Sequence, residues 1–411
     1  NFLKMVFLSS SFFLLLKIKK NLNKVNRFIH SDSKPNELPN SGKFPDPNNF
    51  VIFFSDIKAS KRDIYNSLRN KSGVYNSNLI VTNSIFNKTN NIMSINYQSS
   101  LKNRYYSTIS KRLDPNLVTG FVDGEGSFSV LIYKTTKLKV GWETQLVFNI
   151  TLHSKDHDLL IQIRSFFGVG FIKSNKNHNS VSYTVTKLKD LVNVIIPHFN
   201  KYPLITQKRA DFILFSSVVD LVKNKQHLNK EGLNKILAHK ASMNKGLSTS
   251  LINSFTDIIP IERIKFQVTE SLSPYWVAGF TSGEGSFYVA LFKTDKYKIG
   301  YSVQLRFAIG QHSRDLFLIE KLVGFFGCGY LKPFSNKSAV CYVVTDINNI
   351  LNIIIPFFKN NPVVGTKNLD FLDFCKIAYL IKDKAHLTES GLNQIKELVS
   401  GMNLKREHDS L

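Results

Sequence analysis

Two segments of the chain, about 127–134 and 142–151, alternate apolar with variable residues. A period of two over such lengths predicts β-strands that bury one face. Just upstream, Asp114 and Pro115 are typical of a helix N-cap and a first helical position, and the helix they begin should end near Gly124. Apolar spacing downstream predicts a helix at about 155–167, strands near 170–174 and 181–187, and helices near 188–199, 206–222 and 229–243.

The same order of elements occurs twice, because residues 113–244 align without a gap with residues 272–403, at an offset of 159 positions. The shared landmarks are GFVDGEGSF (120–128) and GFTSGEGSF (279–287), His153-Ser154 and His312-Ser313, FFG at 166–168 and 325–327, Pro197 and Pro356, Asp211 and Asp370, and GLN at 232–234 and 391–393. Chance does not keep register over that length, so the chain is a duplication. We predict an α+β fold of two αββαββα repeats with extra C-terminal helices, 113–244 and 272–411, joined by a linker at 245–271.

The leader, residues 1–112, is rich in Asn, Lys and Ser and has a Pro-containing run at Pro35–Pro47. Such a segment cannot bury enough apolar surface to offset the entropy of ordering, so we expect it to be mostly disordered, with short helical or extended pieces. Its apolar stretch Met5–Leu16 is too short to span a bilayer, and we expect no stable membrane insertion. Two interpretations of that stretch stay open: a targeting segment, or translated upstream sequence, since the chain starts at Asn1.

The chain carries 54 Lys and Arg against 30 Asp and Glu, a formal net charge of +24. The leader contributes +13 of this and the rest of the chain +11. Clustered cations gain free energy by releasing counterions from phosphates, so nucleic acid is the first candidate partner and an anionic membrane surface the second. The three cysteines, Cys328, Cys341 and Cys375, have no paired spacing with histidines, so we expect free thiols rather than a disulfide framework or a zinc site.

Small residues lie on the first helix of both repeats: Thr119, Gly120 and Gly124, and Ala278, Gly279 and Gly283. Small residues at a three-to-four spacing let two helices approach closely. If the repeats pack about a pseudo-twofold axis through these helices, Glu125 and Glu284, just beyond the helix ends, arrive side by side. Two carboxylates at a basic surface favour shared Mg²⁺, which takes oxygen ligands and can activate water for phosphodiester hydrolysis.

Asp123 differs from the two glutamates because its counterpart in the second repeat is Ser282. A symmetric mechanism needs a pair that is acidic in both repeats, so we assign Asp123 no essential role. The alternative interpretation of the GEGS segment is a helix-to-strand turn in which the glycines matter and the glutamate is solvated. Its occurrence at equivalent places in both repeats of a basic chain favours the catalytic interpretation.

The segments LVTGFVDGEGSF and WVAGFTSGEGSF resemble the two defining motifs of the LAGLIDADG homing endonucleases, in the single-chain branch with Glu at the catalytic place. The resemblance covers about residues 113–403. It implies a saddle of antiparallel sheets over a long double-stranded DNA site, a monomer that is a pseudo-dimer within one chain, and cleavage of both strands across the minor groove with Mg²⁺ (or Mn²⁺). The metal ligands it implies are Glu125 and Glu284, with Gly124 and Gly283 in the same site. Ser282, in an otherwise acidic position, departs from the family pattern.

One face of the first two strands stays apolar in both repeats, as a core face must: Phe128, Val130 and Ile132 match Phe287, Val289 and Leu291. The opposite face changes, as a base-reading face does when two half-sites differ, so we predict an asymmetric target. The predicted DNA-contacting residues are Ser127, Ser129, Leu131, Tyr133, Gln145, Val147, Asn149, Lys173, Ser286, Tyr288, Ala290, Phe292, Gln304, Arg306 and Lys332. The alternative is a solvated sheet face. Gln145 and Gln304 are the strongest candidates, because a Gln amide can pair with an adenine edge.

Lys208 and Lys367 occupy a matched position just before a long helix. In relatives of this type a lysine of the corresponding region lies near the active site, so we expect each to help neutralise the scissile phosphate. A solvated lysine at a helix start is the alternative. His153 and His312 are matched too, but a lone histidine after a strand is more often a structural hydrogen-bonding residue than a general base.

Two other functions stay open from the sequence. A maturase would bind its own intron RNA with the same basic surface and need not use the carboxylates. A decayed DNA-binding protein would have lost one acid or broken the repeat, and neither is seen. Heavy use of Asn, Lys, Ile, Phe and Ser is typical of an A/T-biased genome and, with the start at Asn1, favours an intron-encoded mitochondrial product.

Overall fold

The computed structural model describes residues 113–266, 271–334 and 338–403. The expectations for the leader, residues 1–112, therefore lie outside the described residues. Within them the chain forms two four-stranded antiparallel sheets, each covered on one face by helices, which confirms the predicted α+β fold of two similar repeats.

The first repeat begins with helix α1, where the Asp114 side chain accepts a hydrogen bond from the backbone N–H of Asn116, as predicted for an N-cap. Its elements, in chain order, are α1 (Pro115–Glu125), β1 (Gly126–Lys134), β2 (Trp142–His153), a 3₁₀ turn (Ser154–Asp156), α2 (His157–Phe167), β3 (Phe171–Asn175), β4 (Ser180–Val185), α3 (Leu188–Asp190), a π-helical turn (Leu191–Ile195), α4 (Ile196–Lys201), α5 (Lys208–Lys223) and α6 (Lys230–Ala241). Helix α7 (Thr249–Ser254) follows in the segment between the repeats.

The second repeat follows the same order, with Pro274 again at the first helical position. Ser273 is the N-cap residue there, but unlike Asp114 its side chain makes no capping hydrogen bond. Its elements are α8 (Pro274–Glu284), β5 (Gly285–Lys293), β6 (Tyr301–His312), a 3₁₀ turn (Ser313–Asp315), α9 (Leu316–Phe326), β7 (Tyr330–Pro333), β8 (Ala339–Val344), α10 (Ile347–Asn349), a π-helical turn (Ile350–Ile354), α11 (Ile355–Asn360), α12 (Lys367–Lys382) and α13 (Glu389–Ser400).

Both sheets have the same topology, β1-β2-β4-β3 and β5-β6-β8-β7. The pairing register also repeats: Gly126 faces Ile150 at the start of β1, and Gly285 faces Ile309 at the start of β5. Because side chains alternate between the two faces of a strand, this register places the predicted apolar face of each sheet under its helices.

The core of each repeat is rich in aromatic rings. Phe128 stacks on Phe148 with ring centroids 5.1 Å apart, and Phe287 stacks on Phe307 at 5.2 Å. All four side chains are fully buried, and burial of each contributes about 1.5–3 kcal/mol to stability. The predicted core face is therefore confirmed, although Leu291, at its outer end, is only half-buried.

The segment after α6 is anchored to the first repeat through Arg263. Its guanidinium forms a bidentate pair with the buried carboxylate of Asp211, with N···O distances of 2.5 and 2.9 Å. It also donates to the carbonyl oxygens of Ser242 and Gln207. A planar guanidinium suits such a fork, so this connection is held in a defined path over the first repeat.

None of the helices in the described ranges has the length and apolar character needed to cross a bilayer. The three cysteines are free, as predicted from their spacing.

Candidate active site at the helix interface

Helices α1 and α8 pack against each other at backbone contact distance. A Cβ built on Gly120 would collide with the carbonyl of Trp276, and one on Gly279 with the carbonyl of Leu117. Only glycine leaves room for such an approach, so these two positions set the spacing of the two repeats. The predicted close contact of the small faces is confirmed.

The close packing brings Glu125 and Glu284 together, because each is the last residue of its helix. The helices thus end one residue after Gly124 and Gly283, near the predicted ends. A Cβ on Gly124 would lie 3.3 Å from Cγ of Glu284, and one on Gly283 would lie 3.2 Å from Cγ of Glu125. Each glutamate therefore lies against the glycine of the opposite helix, which makes the site shared between the repeats.

The electrostatics of the pair show why a cation fits there. Burial and the neighbouring Glu125 carboxylate raise the pKa of Glu284, while a hydrogen bond from Gln311 opposes the rise. Two carboxylates and adjacent backbone carbonyls supply the oxygen ligands that Mg²⁺ takes, and Mg²⁺ often binds protein through only one or two carboxylates. Across the described ranges no group of three or more His, Cys, Asp or Glu residues is placed to hold a metal ion.

Gln311 is a site residue that sequence reasoning missed. It lies one residue before the end of β6, and its counterpart in the first repeat is Leu152. The mismatch hides it from a search for matched polar residues, because only a residue polar in both repeats stands out in such a comparison.

Lys208 and Lys367 begin α5 and α12 and point at the ends of the glutamate-bearing helices. Nζ of Lys208 donates to the carbonyls of Val122 and Gly124, both at 2.9 Å, and Nζ of Lys367 donates to the carbonyl of Gly283 at 2.5 Å. Burial lowers the pKa of both ammonium groups, that of Lys367 to about 8, against the opposing effect of nearby carboxylates. Both lysines therefore lie at the candidate site and are not solvated helix-start residues.

A cavity of about 580 Å³ opens beside this group. It is lined by residues of both repeats, among them Glu125, Asp156, Thr366 and Lys367. The cavity is therefore shared between the repeats, as are the two glutamates.

Asp123 has a structural role that the sequence comparison did not foresee. Its buried carboxylate accepts hydrogen bonds from the backbone N–H groups of Ile205 and Thr206, the Thr206 hydroxyl and the Trp276 indole. The absence of an acid at Ser282 argues only against a symmetric catalytic pair at this position, and it does not bear on this structural role.

His153 and His312 cap the 3₁₀ turns that follow β2 and β6. Their Nδ1 atoms accept hydrogen bonds from the backbone N–H groups of Lys155 and Arg314, at 3.2 and 3.1 Å. This agrees with the interpretation of both as structural hydrogen-bonding residues.

The sheet faces opposite the cores differ between the repeats. In the first repeat Nδ2 of Asn149 donates to the Thr151 hydroxyl at 2.8 Å, Oδ1 of Asn149 accepts from the Thr184 hydroxyl at 2.9 Å, and the Thr151 and Ser182 hydroxyls are 2.8 Å apart. We call these four residues the polar quartet. The equivalent positions of the second repeat are Ala308, Gly310, Cys341 and Val343, and three of them form a small apolar cluster.

Most of the other predicted DNA-contacting side chains lie on these same faces. Tyr133, Gln145, Tyr288, Phe292 and Gln304 are exposed, and the register brings Leu131 opposite Gln145 and Tyr288 opposite Arg306. Lys173 and Lys332 lie exposed on β3 and β7, and Ser127, Ser129, Val147 and Ser286 complete the set.

Ala290 is the exception among these residues, because it is only 8% exposed. Its methyl group is the smallest side chain on that part of β5 and lies between the positions of Tyr288 and Phe292, which project from the same face, so little of its surface is left for the predicted DNA contact.

Comparison with known proteins agrees with this geometry. A family profile described as LAGLIDADG endonuclease matches twice, over residues 118–219 and 277–378. Probable intron-encoded endonuclease 2 of Neurospora crassa is 41% identical over 332 residues, which cover 77% of this chain and 72% of that protein. An uncharacterised 50.9 kDa protein in ND4 intron 1 of Podospora anserina is 45% identical over 120 residues, 29% of this chain and 26% of that one.

Among solved structures, the I-SmaMI LAGLIDADG homing endonuclease bound to cleaved DNA matches with a TM-score of 0.70 and 42% identity, over 72% of this chain and 98% of that one. The same enzyme has been solved on an uncleaved DNA target in the presence of calcium ions. It has also been solved with two lysines replaced by alanine, and these lysines have the same sequence separation as Lys208 and Lys367.

Proposed function

Because the chain belongs to the LAGLIDADG endonuclease family, we propose that it is an intron-encoded homing endonuclease that makes a double-strand break in one long, asymmetric DNA target. Residues 113–244 and 272–411 each bind one half-site, and 245–271 links them, so a monomer carries a complete site. The observation that carries the proposal is the convergence of Glu125 and Glu284 at the ends of two helices in backbone contact.

Glu125 and Glu284 would hold Mg²⁺ or Mn²⁺, with the backbone at Gly124 and Gly283 beside them. Burial and the neighbouring Glu125 carboxylate raise the pKa of Glu284, and a cation held between the two glutamates would offset both effects, which supports this assignment. When bound, such a cation supplies an activated water and stabilises the leaving oxygen of a phosphodiester. The I-SmaMI complex with calcium supports a divalent ion in this family.

Lys208 and Lys367 would help neutralise the scissile phosphates, one for each strand. Their Nζ atoms lie at the carbonyls beside the glutamates, so a short change of rotamer brings either ammonium to a phosphate bound at the same place. An ammonium offers three donors on a flexible stem, which suits this shift between a resting contact and a substrate.

The sheet faces would read the target in the DNA grooves. The polar quartet presents hydroxyl and amide groups to one half-site, whereas the equivalent residues Ala308, Cys341 and Val343 form a buried apolar cluster and present no such groups to the other. Hydrogen-bonding and apolar surfaces favour different base edges, so an asymmetric target follows. Arg306 is half-buried on the same sheet face, opposite the exposed Tyr288, and we assign its guanidinium to a DNA contact. Lys173 and Lys332 would contact backbone phosphates.

The compartment we propose is the mitochondrion. The support is the similarity to a protein of an ND4 intron together with the Asn-, Lys- and Ile-rich composition.

The test uses the full chain, a library of randomised duplexes, and either Mg²⁺ or Mn²⁺. The wild type should cut both strands of a selected duplex, and Glu125→Gln and Glu284→Gln should each cut it at least about a hundredfold more slowly while they still bind it in Ca²⁺. Glu320→Gln, an exposed glutamate on α9, is the matched control and should cut at the wild-type rate. If the wild type cuts no duplex with either ion and instead binds structured RNA in a salt-sensitive way, the maturase is the correct function.

A further inference from the structure

Two aspartates reach from one repeat into the other. Oδ1 of Asp156 accepts a hydrogen bond from the backbone N–H of Thr366 at 2.7 Å, and its Oδ2 accepts from the Thr366 hydroxyl at 3.2 Å. In the opposite direction, Oδ1 of Asp315 accepts from the backbone N–H of Gln207 at 2.8 Å. Asp156 and Asp315 are equivalent residues, each the last of the 3₁₀ turn after the second strand of its repeat.

The donors of this exchange, Gln207 and Thr366, lie directly before the candidate lysines. Gln207 precedes Lys208 at the start of α5, and Thr366 precedes Lys367 at the start of α12. Neither Gln207 nor Thr366 makes a side-chain capping bond to its own helix. A carboxylate of the opposite repeat therefore helps to fix the turn that aims each lysine, together with Asp123 before Lys208 and Ser282 before Lys367.

The chain makes room for one of these contacts with a glycine. Gly365 has a φ of +72°, and a Cβ built on it would lie 2.7 Å from Oδ1 of Asp156. A side chain there would be strained and would also displace the carboxylate. The equivalent residue of the first repeat is Thr206, whose hydroxyl binds Asp123 instead, so the glycine serves the Asp156 contact in particular.

We propose that Asp156 and Asp315 are cross-repeat positioning residues, Asp156 for Lys367 and Asp315 for Lys208, so that cleavage of each DNA strand depends on a carboxylate of the opposite repeat. This inference rests on the proposed role of the two lysines. Neither aspartate contacts substrate in this scheme. Each holds the first turn of a helix, and a displacement of about 1 Å at a catalytic group can reduce a rate by about a hundredfold.

The arrangement also links the two halves of the reaction. A repeat that shifts away from its partner withdraws the hydrogen bond from the other repeat's lysine turn. Each lysine is then aimed only while both repeats are docked, and this would limit cleavage to complexes in which both half-sites are engaged.

The experiment measures cleavage of each strand separately, on a selected duplex with different labels on the two strands, under single-turnover conditions. Lys208→Met and Lys367→Met first identify the strand that each lysine serves. Asp156→Ala should then slow the Lys367 strand by about tenfold to a hundredfold and the other strand by less than about twofold, and Asp315→Ala should do the reverse. Asp158→Ala, an exposed neighbour on α2, is the matched control and should leave both rates unchanged.

Conservative variants separate positioning from folding. Asp156→Asn and Asp315→Asn keep an oxygen that accepts from Thr366 or Gln207, so they should restore most of the rate lost in the Ala variants. Thermal unfolding and duplex binding in Ca²⁺ show whether each variant is folded. Equal slowing of both strands, or strand rates unchanged in folded Ala variants, would overturn the proposal. If Lys208→Met and Lys367→Met cut both strands at the wild-type rate, the proposed role of the two lysines is wrong. That result differs from a failure of the two aspartates alone, in which the lysine variants are slow and the Ala variants are not.

Discussion

Nε1 of Trp276, on α8, donates a hydrogen bond to Oδ2 of Asp123, on α1, over 2.9 Å. The same carboxylate binds Ile205 and Thr206 in the turn before Lys208, so one side chain ties together both interface helices and an active-site turn. The second repeat has a smaller version: the Ser282 hydroxyl accepts from the backbone N–H of Val364 at 2.9 Å and donates to the Ala278 carbonyl.

Replacement of Asp123 by alanine should lower the free energy of unfolding by about 3 kcal/mol, because it leaves several buried donors without an acceptor. Urea unfolding monitored by tryptophan fluorescence measures the change. Asp220→Ala, at an exposed position of α5, should stay within about 0.5 kcal/mol of the wild type. An equally small loss for Asp123→Ala would show that water replaces the carboxylate.

The glycines of the helix interface give a second prediction. Gly279→Ala should fail to yield a stably docked pair of repeats, since its methyl group would occupy the space of the Leu117 carbonyl. Gly324→Ala in α9 is the control: no atom lies within 4 Å of its added Cβ, and it should gain up to about 1 kcal/mol from helix propensity. Thermal unfolding compares them, and equal melting temperatures would contradict the role of Gly279.

Much of the site could be predicted because the duplication exposes it. An acid, a glycine or a lysine that occurs at equivalent positions of both repeats indicates that both repeats need it for the same role. This comparison identified Glu125 with Glu284 and Lys208 with Lys367. Alternation of apolar residues fixed the core face of each sheet in the same way, because a one-residue error would expose every phenylalanine.

What could not be predicted depends on contacts between distant segments. Asp123 and Gln311 have counterparts of different chemistry, so comparison of the repeats gave no reason to select them. The Asp156 to Thr366 bond joins residues 210 positions apart through the docking of two repeats, and no local pattern reports which polar groups meet there. Ala290 shows a second limit of the sequence. Strand alternation predicts the sheet face on which a residue lies, but not how far neighbouring side chains cover it.

His198 predicts a pH dependence of stability. Its ring packs against Phe199, burial lowers its pKa to about 4, and its unfolded value is near 6.5. The unfolded chain therefore takes up a proton near pH 6.5 that the folded chain refuses until about pH 4, so stability falls as the pH drops through this window. The loss from this one group should be about 2 kcal/mol between pH 7 and pH 5.

The second repeat supplies the variant for this test, because Phe357 occupies the position equivalent to His198. In His198→Phe the ring packing is retained and Thr119 still donates to the Tyr202 carbonyl. Urea unfolding at both pH values should show that this variant loses about 2 kcal/mol less than the wild type. His157→Asn, which changes an exposed histidine, should keep the wild-type loss; the same loss in His198→Phe would mean that other groups cause the acid sensitivity.

The polar quartet leads to the prediction about target recognition. Asn149→Ala removes the amide that joins Thr151 and Thr184, and it should reduce discrimination by about 1–3 kcal/mol at the base pairs that it contacts. Cleavage profiling over duplexes randomised in one half-site at a time measures the effect. The loss should be confined to the half-site of the first repeat, while Ala308→Gly leaves both profiles unchanged.

A stronger test replaces the polar quartet of the first repeat with the equivalent residues of the second repeat. The combined variant Asn149→Ala, Thr151→Gly, Ser182→Cys and Thr184→Val gives both sheets the same four residues at these positions, in matching register. If these side chains read bases, the first half-site profile should shift towards that of the second, and the preferred target should become more nearly palindromic. An unchanged profile in a folded variant would mean that the asymmetry of the target comes from other side chains, such as Arg306 and Gln145.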